Sequence, residues 1–391
     1  MSREPARSGP KPSQGVEGHC EPRFVLLREV FEQSFADGLE DGASLSLWLD
    51  GRPVVDLWGG VADLESGAAW QRDTLVNVYS TTKGPTALCA HLLADRGQLD
   101  FDAPVARYWP EFAAAGKSQL PVRYLLCHRA GLAGLDRPTR LEDLYDWQGV
   151  VQALAAQAPW WEPGSRHGYH PITYGHLVGE LVRRISGRSL GTFFREEIAL
   201  PLGLDFHIGL RASEDARVAR LVPPRRSEGA RILRDEPDSL SGRALSNPVI
   251  DPRAAATRAW RGAEIPAANG HGNARSIGRF YALLACGGEL DRVRLLSQAS
   301  LERAAEVQVA GADAVLRVPV QWGLGFIVNG RPGIYGPNPQ TIGHSGYGGS
   351  FGFADRAARL AMGYAMNRMG ANLAGDVRAG RLVEAVYACL T

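Results

Sequence analysis

The chain has 391 residues, 45% of them hydrophobic and 22% charged, with a formal net charge of +1. This is the composition of a globular protein with room for one large domain or two. Without a basic block or an acidic tail, it implies neither nucleic acid nor a charged membrane as partner. No run approaches the roughly 18 apolar residues of a membrane span. The five cysteines (Cys20, Cys89, Cys127, Cys286, Cys389) are scattered and show no C-x-x-C spacing. They read as reduced thiols of a cytoplasmic protein, not as a disulfide framework.

In chain order, residues 1–20 are polar, rich in Pro, Gly and Ser, and lack an apolar h-region, which predicts a disordered lead-in and not a signal peptide. Phe24, Leu27, Val30, Phe31 and Phe35 then recur at helical spacing. Ala43, Leu45, Leu47 and Leu49 alternate with Ser44, Ser46 and Trp48, and Asp50-Gly51 separates them from the apolar run Val54-Val55-Asp56-Leu57-Trp58. That pattern predicts a β-hairpin. A β-like run over 74–79 gives way to a helical one over 87–93. From 80 to about 301 the pattern is of helices broken by Pro/Gly loops, with clear helices at 177–182 and 277–284. The stretch 220–261 has prolines and arginines but little periodicity, and reads as loop-rich. Strand patterns return at 322–328, 350–353 and 360–366. A final helix over 374–390 is expected to put Val377, Leu382, Val383 and Val386 on one side. No internal repeat is visible.

The expected architecture is therefore α/β (α+β). One domain is built from both chain ends, 21–78 and 318–391, and a mainly helical domain, 79–317, is inserted between them. A cleft between two such domains is a favoured place for a ligand.

Ser80-Thr81-Thr82-Lys83 is the most informative stretch. In S-x-x-K on a helix, serine and lysine share a face. A desolvated lysine can take the proton that makes a serine nucleophilic. At a helix start, the Ser80 N–H is also free to hold an oxyanion. Alone, the pair also reads as an N-cap serine beside a surface lysine. Pro85 breaks a local rule, because proline inside a helix removes a backbone bond and clashes with the preceding turn.

Two further regions can complete a site. The loop 161–170 carries Tyr169, whose reading as a proton shuttle needs a lysine neighbour to lower its pKa. His167, His170 and His176 lie nearby, but their spacing is not that of a metal motif. The glycine-dense segment Gly343-His344-Ser345-Gly346-Tyr347-Gly348-Gly349-Ser350-Phe351-Gly352 includes a formal G-x-S-x-G. That motif needs a strand–turn–helix context to be a nucleophile elbow. Strand patterns follow instead, so Ser350 reads as a decoy. Trp160, Trp161, Tyr347 and Phe351 are candidates for an apolar wall, with core packing an equal reading for Phe351.

The ordered blocks resemble the serine hydrolases of the class C β-lactamase superfamily, with its penicillin-binding D,D-peptidases, and look most like the family VIII carboxylesterases. The matching pieces are Gly51-Arg52-Pro53-Val54-Val55-Asp56-Leu57-Trp58-Gly59-Gly60, Tyr79-Ser80-Thr81-Thr82-Lys83-Gly84, Cys127-His128-Arg129-Ala130-Gly131-Leu132, Tyr169-His170-Pro171, Asn269-Gly270-His271-Gly272 and Gly343-His344-Ser345-Gly346. They span the chain from about residue 15 to its end.

The resemblance implies an antiparallel sheet covered by N- and C-terminal helices with an all-helical lobe. It implies Ser80 as acyl-accepting nucleophile, Lys83 as its base and Tyr169 as the tyrosine that helps move the proton. His344-Ser345-Gly346 would stand where β-lactamases carry K-T-G, and the N–H groups of Ser80 and Tyr347 would form the oxyanion hole. No cofactor and no metal are implied. The partner expected is a small-molecule ester with a short acyl group; a β-lactam, an amide or acyl transfer through the same serine is the alternative. Two positions depart from the β-lactamase pattern: Pro171 replaces the asparagine of Y-x-N, and His344 replaces the lysine of K-T-G. Both remove contacts to a β-lactam carboxylate and favour the esterase branch.

Overall fold

The computed structural model describes residues 15–330 and 333–390. The strands that build its main sheet are β1 (Glu17–Cys20), β2 (Gly42–Leu49), β3 (Arg52–Asp63), β4 (Val309–Ala312), β5 (Pro319–Trp322), β6 (Ile327–Val328), β7 (Ile342–Ser345), β8 (Phe351–Asp355) and β9 (Leu360–Met366). They lie in the order β1-β3-β2-β9-β8-β7-β6-β5-β4, every neighbouring pair antiparallel. The helices that matter for the site are α1 (Val25–Ala36), α2 (Lys83–Asp95), α3 (Thr173–Ser186), α4 (Glu228–Asp235), α5 (Leu240–Ser246), α6 (Ala274–Ala285) and α7 (Val377–Ala388).

The expected mixed fold is present: a large antiparallel sheet and many helices. The hairpin forms as read, since Asp50 (φ 50°) and Gly51 (φ 75°) both take the left-handed backbone that a two-residue turn requires. Pairing β9 with β2 joins the two chain ends in one sheet.

Successive residues of β9 face opposite sides. A Cβ on Gly363 would lie 2.3 Å from the Ala274 carbonyl oxygen and 2.4 Å from the Gly278 nitrogen, so α6 packs backbone-to-backbone on that face. Tyr364, on the other face, bonds Glu40, which in turn pairs with Arg378 of α7. α1 and α7 thus cover the side that α6 does not, with Leu27 and Phe31 facing Leu382, Val383 and Val386 in one core.

Several expectations change. Residues 1–14 of the lead-in lie outside the described residues, but Glu17–Cys20 are not disordered. They form β1, which satisfies the open edge of β3. β4 already belongs to the sheet, and α6, read as part of the helical domain, lies on it. Val377 is 61% exposed, off the buried stripe of α7. The apolar run 322–328 is not one strand. Gly325 (φ 89°) passes so close to α2 that a Cβ would sit 2.3 Å from the Ala87 Cβ, and this approach splits β5 from β6. The stretch 220–261 holds α4 and α5, whose starts are capped by Ser227 and Ser239 accepting from the N–H groups of Ala230 (3.1 Å) and Gly242 (3.0 Å). Pro85 falls in the first turn of α2, where a backbone N–H has no partner within the helix, and so costs little there.

Candidate active site

Ser80 stands in a tight turn, Tyr79–Thr82, that feeds directly into α2. Tyr79 just before it has φ 43°, a strained backbone for a residue with a large side chain. The Thr82 hydroxyl donates to the Tyr79 carbonyl at 2.5 Å and accepts from the Gly270 N–H at 2.9 Å, and so holds the strained turn. Ser80 is partly exposed and lines a large cleft.

Lys83, one turn on, is fully buried, which overturns the surface-lysine reading. Its Nζ lies 3.1 Å from Ser80 Oγ, 2.8 Å from the Pro171 carbonyl oxygen and 2.9 Å from that of Ala267. Loss of solvent holds its pKa well below the usual 10.5. A carbonyl can only accept. A neutral amine that donates its two N–H groups to Pro171 and Ala267 therefore keeps its lone pair for the Ser80 hydroxyl. Pro171, noted in the sequence for lacking a side-chain amide, contributes its backbone oxygen. Nothing in the sequence marks Ala267.

Tyr169 is buried beside this pair, with Lys83 Nζ 4.6 Å from its ring centroid. Its hydroxyl is turned to Ser80. The expected lowering of its pKa does not occur. Burial raises it, the Ser80 hydrogen bond only tempers the rise, and the group is a phenol. Sequence reasoning missed what holds it. Asp313 Oδ1 accepts from the N–H groups of Tyr169, Val315 and Leu316, each at 2.9 Å, and Asp313 Oδ2 accepts from Trp322 Nε1 at 3.2 Å. The Trp322 ring stacks on Tyr169 at 5.6 Å and 7°. An acidic residue in a loop carries no sequence signal for that role.

β7 brings His344, Ser345 and Gly346 to the cleft, followed by Tyr347. Burial brings the His344 pKa down to about 3, so the imidazole is neutral. Its Nδ1 is 2.9 Å from the Ser345 carbonyl oxygen. The Ser345 hydroxyl meets that of Tyr335 at 2.8 Å. Gly346 has no room for a side chain, since a Cβ would lie 2.1 Å from the Val78 carbonyl oxygen. Ser350 is buried, donates to the Val78 carbonyl at 2.9 Å and meets the Thr81 hydroxyl at 3.0 Å. It is committed to bracing the Ser80 turn, with a strand and not a helix after it. Arg378 was also missed: its Nη2 donates to the Gly348 carbonyl at 2.8 Å, next to Tyr347.

The cleft has a volume of about 1370 Å³, and Ser80, Tyr169, Pro171, His344, Tyr347 and Phe351 all line it. Trp160 and Trp161 do not. Trp161 is packed beneath the Tyr169 loop, where a Cβ on Gly168 would touch its ring at 2.8 Å. Trp160 donates to Asp136 at 2.7 Å, with the Arg243 guanidinium 4.1 Å from its ring centroid. Trp322 takes the wall position instead. His170 is structural, its Nε2 accepting from the Leu132 N–H at 3.0 Å and its Nδ1 lying 2.7 Å from the Gly168 carbonyl oxygen. Among the described residues, no group of three or more His, Cys, Asp or Glu side chains is arranged to hold a metal ion. No helix there is long and apolar enough to cross a membrane.

The family model described as Beta-lactamase matches residues 27–387. The esterase/beta-lactamase LipL of Mycobacterium tuberculosis is 37% identical over 376 residues, covering 93% of this chain and 86% of the relative. The crystal structure of a family VIII carboxylesterase superposes with a TM-score of 0.90 at 46% identity, covering 96% of this chain and 99% of the other. A penicillin-binding protein homologue from Caulobacter crescentus gives 0.88 at 42% identity, covering 96% and 99%. The chain belongs to the Beta-lactamase family of serine hydrolases, with esterases among its relatives.

Proposed function

We propose that the protein is a carboxylic ester hydrolase that works through an acyl-enzyme on Ser80. The neutral Lys83 amine takes the Ser80 proton as Oγ adds to the substrate carbonyl carbon. The backbone N–H groups of Ser80 and Tyr347 hold the resulting oxyanion. On collapse the carbon–oxygen bond to the alcohol breaks, and the proton passes from Lys83 through the Tyr169 phenol to the leaving oxygen. Water then repeats the sequence on the acyl-enzyme and releases the acid. The observation that carries this reading is the Lys83 amine pinned by two carbonyl oxygens, with Ser80 Oγ as its remaining partner.

Esters are favoured over β-lactams for three reasons. An alkoxide or phenoxide leaves more readily than an amide nitrogen. The neutral His344 offers no cation to a carboxylate. Pro171 spends its only polar group, the carbonyl, on Lys83. A lost contact to a charged group is worth about 1.5–3 kcal/mol, roughly ten- to a hundredfold in rate. The test is kcat/KM for p-nitrophenyl butyrate against nitrocefin near neutral pH. The ester should be faster by at least about tenfold. Equal or faster nitrocefin turnover would replace this reading with a β-lactamase.

A further inference from the structure

We propose that the cleft selects uncharged esters with a bulky apolar group, an extended alkyl chain or fused aromatic rings, over acetyl-sized ones. The inference rests on the reading of Ser80 as an ester nucleophile and replaces the short-acyl expectation drawn from sequence.

Size is the first argument. Pockets of about 300–1,000 Å³ accommodate drug-sized ligands, and this cleft, at about 1370 Å³, exceeds that range. An acetyl ester would leave most of it to water.

The wall is the second. One side is the 223–253 segment, which contributes Ala230 and Leu233 of α4 and then Leu245 and Ile250. It is fixed on both sides of α4. The Glu228 N–H donates to the Ala371 carbonyl at 2.8 Å and the Leu373 N–H to Glu228 Oε2 at 2.9 Å. Beyond α4, the Ser241 hydroxyl donates to the Val315 carbonyl at 2.6 Å, and Arg317 pairs with Glu236. This wall is part of the fold and not a loop that happens to lie near.

The mouth is the third. Val249, Val318 and Ile334 line the cleft and are 56%, 38% and 56% exposed. Three aliphatic side chains on three separate segments extend the apolar path to solvent, where none of the described residues covers them.

Charge settles the class. Arg253 is the one lysine or arginine among the described lining residues, and it pairs with Asp251 at 3.0 Å. Asp376 is held by Arg378, and the remaining carboxylate, Glu384, is exposed. A substrate carboxylate drawn into this cleft would lose water and gain no unpaired cation from the described lining residues in return.

The test is a p-nitrophenyl ester series from acetate to decanoate, kept below the micelle concentration, with the purified protein and its Ser80→Ala variant. In the wild type, kcat/KM should rise about two- to fourfold per added methylene through the octanoate. The hexanoate should exceed its length-matched analogue with a terminal carboxylate by at least about tenfold. Leu233→Asp should flatten the chain-length dependence. A profile that falls from acetate onward, or equal turnover of the carboxylate analogue, overturns the proposal while leaving Ser80 as an esterase nucleophile. Ester turnover that survives Ser80→Ala, or none in the wild type, overturns the underlying reading instead.

Discussion

Lys83 Nζ lies 3.1 Å from Ser80 Oγ, at zero exposure and with no carboxylate to neutralise it. Burial is the sole cause of its depressed pKa. The unfolded chain binds the lysine proton up to about pH 10.4, whereas the folded one gives it up well below. As pH falls from that value toward the folded pKa, folding increasingly forfeits the proton, so stability drops through this window and levels off beneath it. Lys83→Met should therefore gain stability relative to the wild type as pH falls from about 10 toward neutrality. The same variant should lose at least about 10²–10⁴ in kcat. Thermal melts across pH with parallel ester assays check both; a melting difference that stays the same from about pH 10 down to neutrality would contradict the buried neutral amine.

Tyr169→Phe should lower kcat by roughly 10²–10⁴ while leaving the melt nearly unchanged, because it deletes one hydroxyl facing the cleft. Near-normal turnover would remove Tyr169 from the proton path.

Asp313→Ala should behave differently. It leaves four donors, the Tyr169, Val315 and Leu316 N–H groups and Trp322 Nε1, without their acceptor. Buried unpaired donors cost ~1–3 kcal/mol each, so urea titration should show a stability loss of at least ~3 kcal/mol. Asp313→Asn keeps one acceptor oxygen and should recover part of both stability and kcat. Unchanged stability in the alanine variant would show that this carboxylate does not hold the Tyr169 loop.

Arg378 reaches the same site from the other side of the sheet, through the Gly348 carbonyl. It also binds Glu40, Asp376 and the carbonyls of Leu39 and Arg368. Arg378→Lys keeps the charge but loses the planar fork. It should cut kcat more than it raises KM, because the proposed oxyanion donor Tyr347 adjoins the loosened carbonyl. A variant with raised KM and intact kcat would place Arg378 outside the reaction.

How much of this was legible in the sequence depends on how local each signal is. The hairpin at Asp50-Gly51 and the helix read at 177–182 were readable because turn chemistry and apolar period act over a few residues. Ser80, Lys83, Tyr169 and His344 could be marked from motif order, and the fold brings Ser80, Tyr169 and His344 to one cleft with Lys83 buried against Ser80. Burial of Lys83 was not legible, since it depends on the Pro171 and Ala267 carbonyls arriving from distant segments. Asp313 and Arg378 act through backbone groups far away in sequence, which no spacing announces. Trp160 and Trp161 misled because an aromatic pair in a site loop looks like a wall, and only packing shows one beneath the loop and the other bound to Asp136 and Arg243.

Ser350 is the most direct rival to Ser80, with a formal nucleophile motif around it. Its hydroxyl is spent on Val78 and Thr81. Ser350→Ala should therefore cost about 1 kcal/mol of stability and retain most ester turnover.

The measurement that decides the account is covalent labelling with a fluorophosphonate, followed by peptide mass spectrometry. The account predicts a single stoichiometric adduct on the peptide carrying Ser80, lost in Ser80→Ala and strongly slowed in Lys83→Met. An adduct on Ser350, or ester turnover that persists in Ser80→Ala, would contradict it.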